Sequence, residues 1–282
     1  MKHSELDAPE ELRNSIKGFW YRELELGAVA SAFEVLPDGH AEIVFHFGSG
    51  CSLLLDGRPE FLPSPFIVGL LGKPVYFQAQ DRLKFMGIKC LPWAIYDLLN
   101  IPAIKGGVQS FTHPLAQLQA TLSQLLRSEK ISEALWLVRD WFLANSAAAT
   151  SVPALNKAGQ AMLKSNGSLP VNQIAAAAHA TVRTLERKFK TSSGHTLKDV
   201  SGLIRFEQAR DRLWEDPEIG IPALVHGLGY ADQSHLNREF KRYSGMTAAA
   251  FARQTKAQKK HLAMILSQLF YLPKQHVRTF AL

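Results

Sequence analysis

The sequence predicts an α+β protein in two parts: an N-terminal β-rich barrel or sandwich with a helical pair, then an all-α region of two similar units joined by a long helix. Three observations carry this. Short β-branched and aromatic runs separated by Pro and Gly fill residues 17–90. The apolar period lengthens to three and four from about residue 114. A 16-residue pattern then occurs twice, at 181–196 and 232–247, an offset of 51.

At 282 residues the chain is long enough for two domains with cores of their own. Hydrophobic residues make up 46% and charged residues 20%, a globular composition rather than a disordered or fibrous one. The opening "MKHSELDAPEELRNSIKGFW" has no continuous apolar core and does not read as a secretory signal. No apolar run approaches the ~18 residues a membrane span needs, so no membrane partner is expected. Cys51 and Cys90 make neither a disulfide framework nor a zinc pattern. Together these features point to a reducing interior, the cytoplasm.

In the first half the runs "GAVASAFEVLPDG", "HAEIVFHFGSG", "CSLLLDGRPEF", "PFIVGLLGKPVYFQA" and "LKFMGIKC" read as strands. Period 2 is clearest in "HAEIVFHFG": Ala41, Ile43, Phe45 and Phe47 fall on one face, His40, Glu42, Val44 and His46 on the other. Leu115, Leu118, Leu122 and Leu125, then Ile131, Leu135, Val138 and Phe142, mark two amphipathic helices. The small, Pro-containing stretch "ANSAAATSVPALN" reads as a linker. The expected domains are thus 1–145, a linker at 146–156, a helical domain at 157–255, and a basic tail at 256–282 with a short amphipathic segment.

Charge changes sign across the linker. Residues 1–152 carry 13 Lys and Arg against 16 Asp and Glu, a balance of −3. Residues 153–258 carry 15 against 9, or +6, and residues 259–282 carry 4 against none. An acidic half joined to a basic half implies two tasks, with the basic half facing a polyanion.

"TVRTLERKFKTSSGHT" and "DQSHLNREFKRYSGMT" align so that Leu185 matches Leu236, Arg187 Arg238, Phe189 Phe240, Lys190 Lys241, Gly194 Gly245 and Thr196 Thr247. Thr181 and Asp232 are N-cap residues, and Gly194 and Gly245 stand where each helix must stop. Each copy follows a short apolar helix and a tight turn, "VNQIAAAAHA" and "IPALVHGLGYA", with Pro222 in the first turn of its helix. That is a helix-turn-helix pattern, made twice. Leu and Phe bury one face. Arg183, Glu186 and Arg187, and Ser234, Asn237 and Arg238, project two, five and six residues beyond each cap. Arg can read guanine, Asn or Gln adenine, and a carboxylate cytosine. Between the copies "TLKDVSGLIRFEQARDRLW" reads as a helix of about 18 residues, ~27 Å. That length sets two reading helices roughly one DNA turn, ~34 Å, apart.

Residues 170–253 resemble the DNA-binding domain of AraC-type transcription regulators, with "GYADQSHLNREFKRYSGMTAAAFAR" close to the family signature throughout. The resemblance implies that the second helix of each unit enters the major groove of double-stranded DNA. It points to Thr181, Arg183, Thr184, Glu186 and Arg187 in the first unit and to Asp232, Gln233, Ser234, His235, Asn237 and Arg238 in the second. Lys190, Lys241 and Arg242 are expected to meet phosphates. Three positions depart from the family pattern. His179 replaces a turn Gly, Gly227 a helical Ala, and Ala248 a Pro.

"LPDGHAEIVFHFG" and "MGIKCLPWAIYDLLNIP" resemble an uncharacterised β-rich domain that precedes this DNA-binding domain in some bacterial regulators. It implies a sensor or oligomerisation module taking a small-molecule effector. A homodimer and RNA polymerase are the further partners this implies. The rival reading is a metal-binding β-barrel enzyme whose helical half locates it on DNA, with His40, Glu42 and His46 as ligands on one strand face. Their order and spacing do not match the His-x-His…Glu pattern of cupin sites, and an exposed polar face explains them equally well. No Ser-His-Asp set, Gly-rich phosphate loop or carboxylate pair stands out, so no catalytic residue, bound metal or cofactor is expected. Cys51 and Cys90 are a redox pair only if the fold joins them; small buried hydrophobes are the default. The leucine-spaced helices after residue 114 are candidates for a dimer contact or for packing on the sheet.

Overall fold

The structure is a computed structural model, and it describes residues 2–101, 107–145, 153–265 and 277–280. Eleven strands and ten α-helices are placed there. The strands are β1 (His3–Asp7), β2 (Ile16–Glu25), β3 (Ser31–Val35), β4 (Ala41–Gly48), β5 (Ser52–Leu55), β6 (Arg58–Phe61), β7 (Phe66–Val68), β8 (Val75–Ala79), β9 (Arg82–Cys90), β10 (Val108–Ser110) and β11 (Val277–Phe280). The helices are α1 (Ile95–Leu99), α2 (Leu118–Arg127), α3 (Ile131–Asn145), α4 (Pro153–Lys164), α5 (Val171–Ala177), α6 (Val182–Ser193), α7 (Leu197–Glu215), α8 (Ile221–Gly227), α9 (Gln233–Ser244) and α10 (Ala248–Ile265).

The strands form two antiparallel sheets, ordered β1-β2-β9-β4-β7-β10 and β11-β3-β8-β5-β6. Neither closes on itself, so of the barrel and the sandwich it is the sandwich that forms. Period 2 in β4 sorts its side chains between two buried layers. Ala41, Ile43, Phe45 and Phe47 join Phe19, Met86 and Ile88 under α2 and α3, which add Leu122, Leu126, Leu135, Val138 and Phe142. Val44 joins Phe33, Leu53, Phe66, Phe77 and Phe85 between the sheets. Both β4 faces are therefore inside, and both its edges are paired, with β9 on one side and β7 on the other. The polar face expected in solvent is buried: His40 is 3% exposed and His46 6%. The leucine-spaced helices resolve the same way. Leu115 and Leu122 are fully covered by this chain's own sheet, while Leu118 and Leu125 pack on it only in part.

In the helical half α5–α6 and α8–α9 are the two helix-turn-helix units, α7 lies between them, α4 packs on α5 and α6, and α10 packs on α7 and α9. The caps are as the sequence requires. Thr181 Oγ1 accepts from Thr184 N at 3.1 Å and Asp232 Oδ1 from His235 N at 2.7 Å. Gly194 and Gly245 end their helices at φ 74° and 77°, in the left-handed region that glycine occupies without strain. His179 takes the same region at φ 50° in the first turn, and Gly229 at φ 68° in the second. α7 opens with a capping box between Thr196 and Asp199.

Pro153 opens α4, so residues 153–156 of the expected linker are already helical, Pro sitting where its missing N–H costs nothing. Residues 146–152 lie outside the described residues. α10 carries the first ten residues of the expected tail, and Val277–Phe280 pairs with β3. The rest of the tail, with the end of its amphipathic segment, also lies outside the described residues.

The halves meet through Trp93. Its indole is 2% exposed, stands 6.0 Å from the Phe189 ring and donates from Nε1 to Asn156 Oδ1 at 3.1 Å. It lies flat on α4 at Gly159, where a Cβ would come within 2.0 Å of the ring. A second contact joins the turn before β4 to α7, Arg210 donating to the Pro37 carbonyl at 2.8 Å.

Candidate nucleic-acid interface

α6 and α9 are each half core and half surface. Leu185, Phe189, Leu236 and Phe240 are 0% exposed. They pin the helices to α7, where the Phe206 ring stands 5.0 Å from Phe240 and 5.3 Å from Tyr243. The opposite faces carry Arg183, Arg187 and Lys190 on α6, and Gln233, Ser234, Arg238, Lys241 and Arg242 on α9, all exposed. Thr181 and Asp232 are exposed too, but their side-chain oxygens are engaged as caps. Thr184 shares a 2.9 Å hydroxyl bond with Thr181.

Four candidate residues are half-buried, and they occupy equivalent places: Thr184 and His235, Glu186 and Asn237. The second pair is already committed. Glu186 Oε2 accepts from the Leu197 backbone N–H at 3.2 Å, and Asn237 Oδ1 from that of Ala248 at 3.3 Å. Leu197 and Ala248 are themselves 51 apart and begin the helices that follow. Each side chain satisfies an orphan donor of the next helix, and Glu186 also sets a negative charge at the positive end of α7. Ala248 supplies an N–H that Pro would lack, so this departure from the family pattern is what lets Asn237 turn inward.

Behind α9 a buried network fixes its angle. Arg205 makes two hydrogen bonds to Glu239, at 3.0 and 2.7 Å, and Tyr230 donates to the same carboxylate at 2.8 Å. The His235 ring rests edge-on against Tyr230 at 5.3 Å. Arg242 is held by Asp199 of α7 at 2.8 Å while staying 58% exposed. The surface left for a ligand is thus strongly basic: Arg183, Arg187 and Lys190 on one helix, Arg238, Lys241 and Arg242 on the other.

In the first half, an apolar cavity lies between the sheets, walled by Phe33, Val44, Phe66, Phe77 and Phe85 and reached by Arg210 of α7. Trp20 and Arg22 also line it, and the Trp20 Nε1 and Arg22 Nε atoms have no hydrogen-bond partner among the described residues. His40, Glu42 and His46 do not form a ligand set. His40 and His46 are six positions apart on an extended chain, roughly 20 Å, and the His46 ring is bound to the Leu62 carbonyl at 2.9 Å and flanked by Phe61 and Phe66. Cys51 and Cys90 belong to different cores, and burial raises both thiols, Cys51 to about 12. They make no redox pair. Sequence reasoning missed Trp93, Glu207 and Arg210 as coupling residues, because their partners lie tens of positions or more away.

Two helix-turn-helix units on one bridging helix, each with a basic outer face, give the helical half the architecture of a double helix-turn-helix domain. Residues 155–254 match the helix-turn-helix domain family, and residues 4–105 match a domain of unknown function, DUF6597. The HTH-type transcriptional regulator RipA of Corynebacterium diphtheriae is 33% identical over 82 residues, 29% of this chain and 24% of RipA. The chain therefore spans about a quarter of the length of that curated relative. Among solved structures, ToxT from Vibrio cholerae O395 is similar over 84% of this chain and 98% of its own, at TM-score 0.46 and 11% identity. The C-terminal domain of AraT, a response regulator from Geobacillus stearothermophilus, is similar over 36% and 85%, at TM-score 0.34 and 24% identity. No described helix is long and apolar enough to cross a membrane.

Proposed function

We propose that this chain is a sequence-specific transcription regulator of the AraC type, acting in a bacterial cytoplasm on double-stranded DNA and modulated through its first half. The observation that carries the reading is the duplicated, outward-facing basic surface of α6 and α9, repeated at one offset around a rigid helix. α7 has 19 residues, about 28 Å long, a span that suits two reading helices on successive major-groove segments.

Within this reading Lys190 and Lys241 neutralise phosphates and make affinity fall with salt. Arg183 and Arg187, and Gln233, Ser234 and Arg238, read bases. Thr181, Thr184 and Asp232 fix the start of each reading helix. Glu186 and Asn237 hold its angle from within, and Arg242 reaches a phosphate only by leaving Asp199. The cavity between the sheets is the effector site. Its apolar walls and unsatisfied Trp20 and Arg22 donors favour a molecule with an apolar body and an acceptor head. Arg210 carries the response to α7. A homodimer and contact with RNA polymerase complete the reading, and no catalytic step belongs to it.

The test is selection of bound sequences from a random duplex library by the purified chain, repeated with Arg187→Ala and Arg238→Ala. Two short boxes about one helical turn apart are expected, each substitution relaxing one box at a cost of about 1–3 kcal/mol. Salt-sensitive binding with no preferred sequence, unchanged by either substitution, rejects the reading.

A further inference from the structure

His40 sits where the chain turns into β4, directly beneath α7. Its side chain is 1% exposed, and Nδ1 has no hydrogen-bond partner among the described residues. Two carboxylates face that nitrogen, Asp38 Oδ2 at 3.9 Å and Glu207 Oε1 at 3.7 Å, and all three atoms lie within 4.8 Å of one another. Neither separation is a hydrogen bond. Donors bound tetrahedrally at about 2.0–2.2 Å to one metal ion stand about 3.3–3.6 Å apart, so a small inward shift suffices.

Charged groups crowd around the three residues. Asp38, Glu42, Glu207 and Asp211 bring four carboxylates within electrostatic reach of two buried cations, Lys89 and Arg210. Lys89 donates to Asp38 Oδ2 at 3.0 Å. Arg210 turns to Asp211 Oδ1, at 3.1 and 3.0 Å, and to the Pro37 carbonyl. Glu207 accepts a long 3.4 Å bond from the Gly39 N–H. Arg22 stands against Glu42 as a further cation. Lys17, on an exposed side chain, adds a cation at the solvent edge, its Nζ 3.3 Å from His40 Nε2.

We propose that Asp38, His40 and Glu207 form a binding site for one divalent transition-metal ion, zinc being the ion that best suits one imidazole and two carboxylates with a position left for water. A neutral imidazole offers a lone pair at Nδ1. Binding at Nδ1 puts the ring proton on Nε2, and the Lys17 ammonium swings into solvent. Two ligands come from the β-half and one from α7. The ion therefore staples the halves together at the helix that carries both reading units.

The full-length chain, stripped with a chelator, is titrated with zinc in competition with a chromophoric chelator of known affinity. One ion per chain is expected, with His40→Ala and Glu207→Gln each weakening binding at least about tenfold. Glu207→Gln keeps the side chain's size and decides the matter if His40→Ala fails to fold. Cobalt(II) in place of zinc is expected to give a visible absorption band of low-coordinate cobalt that Glu207→Gln abolishes. No stoichiometric uptake by the unsubstituted chain, or uptake that Glu207→Gln leaves unchanged, overturns the site. The titration contains no DNA, so it stands or falls apart from the regulatory reading.

Discussion

Phe240 and Asn237 lie on the same helix and are expected to fail differently. Phe240 is fully buried against Phe206 and Phe251. Phe240→Ala should cost about 3–5 kcal/mol of stability, read as a lowered urea midpoint of the helical half. Asn237 is half-buried and bonded to the next helix, so Asn237→Ala should lower the melting temperature while leaving the preferred DNA box nearly unchanged. Arg238→Ala, one residue on and exposed, should do the reverse: an unchanged melt and a relaxed box. If Asn237→Ala instead relaxes the box as Arg238→Ala does, Asn237 leaves its cap to read a base. Asp232→Ala removes a 2.7 Å cap bond and should cost about 1 kcal/mol.

The duplicated units were legible because what defines them is local: cap, apolar pair and terminal glycine all fall within 14 residues in each copy. α7 was legible for the same reason. β1 was not, since "HSELD" holds one apolar residue, Leu6, and becomes a strand only by pairing with β2. Nor was the burial of the His40 and His46 face, because alternation along one strand is blind to a second sheet stacked above it. Among the site residues, the exposed Arg and Lys positions followed from helical spacing. The inward turn of Glu186 and Asn237 did not, since each bonds across a turn to a residue 11 positions on. At the element scale Gly245→Ala is a clean probe. Open space surrounds a Cβ there, but φ is 77°, so a cost of about 1 kcal/mol from backbone strain alone is expected in a thermal melt.

Across the whole molecule the two halves are joined by contacts between residues far apart in sequence. Gly159→Leu places a side chain where the Trp93 indole lies and should part the halves, raising susceptibility to limited proteolysis near residue 153 while each core stays folded. Acid should loosen the chain as well. Burial lowers the pKa of His3, His40, His46, His113 and His195 below the ordinary 6.5. As pH falls through 6.5 the unfolded chain takes up protons that the folded chain does not, so stability declines from there toward each folded pKa. Thermal melts at pH 7.5 and 5.5 should show the lower midpoint at pH 5.5; equal midpoints contradict it.

Trp93 brings one more consequence. Its indole is enclosed by groups from both halves, with Phe189 on one side and Asn156 at its nitrogen. The emission of an indole shifts to the red and is quenched by solutes once water reaches it. The seam between the β-rich and helical halves thus carries its own lamp, and with Trp20, Trp136, Trp141 and Trp214 replaced by Phe, the colour of that single residue would register in real time whether the two halves are together or apart.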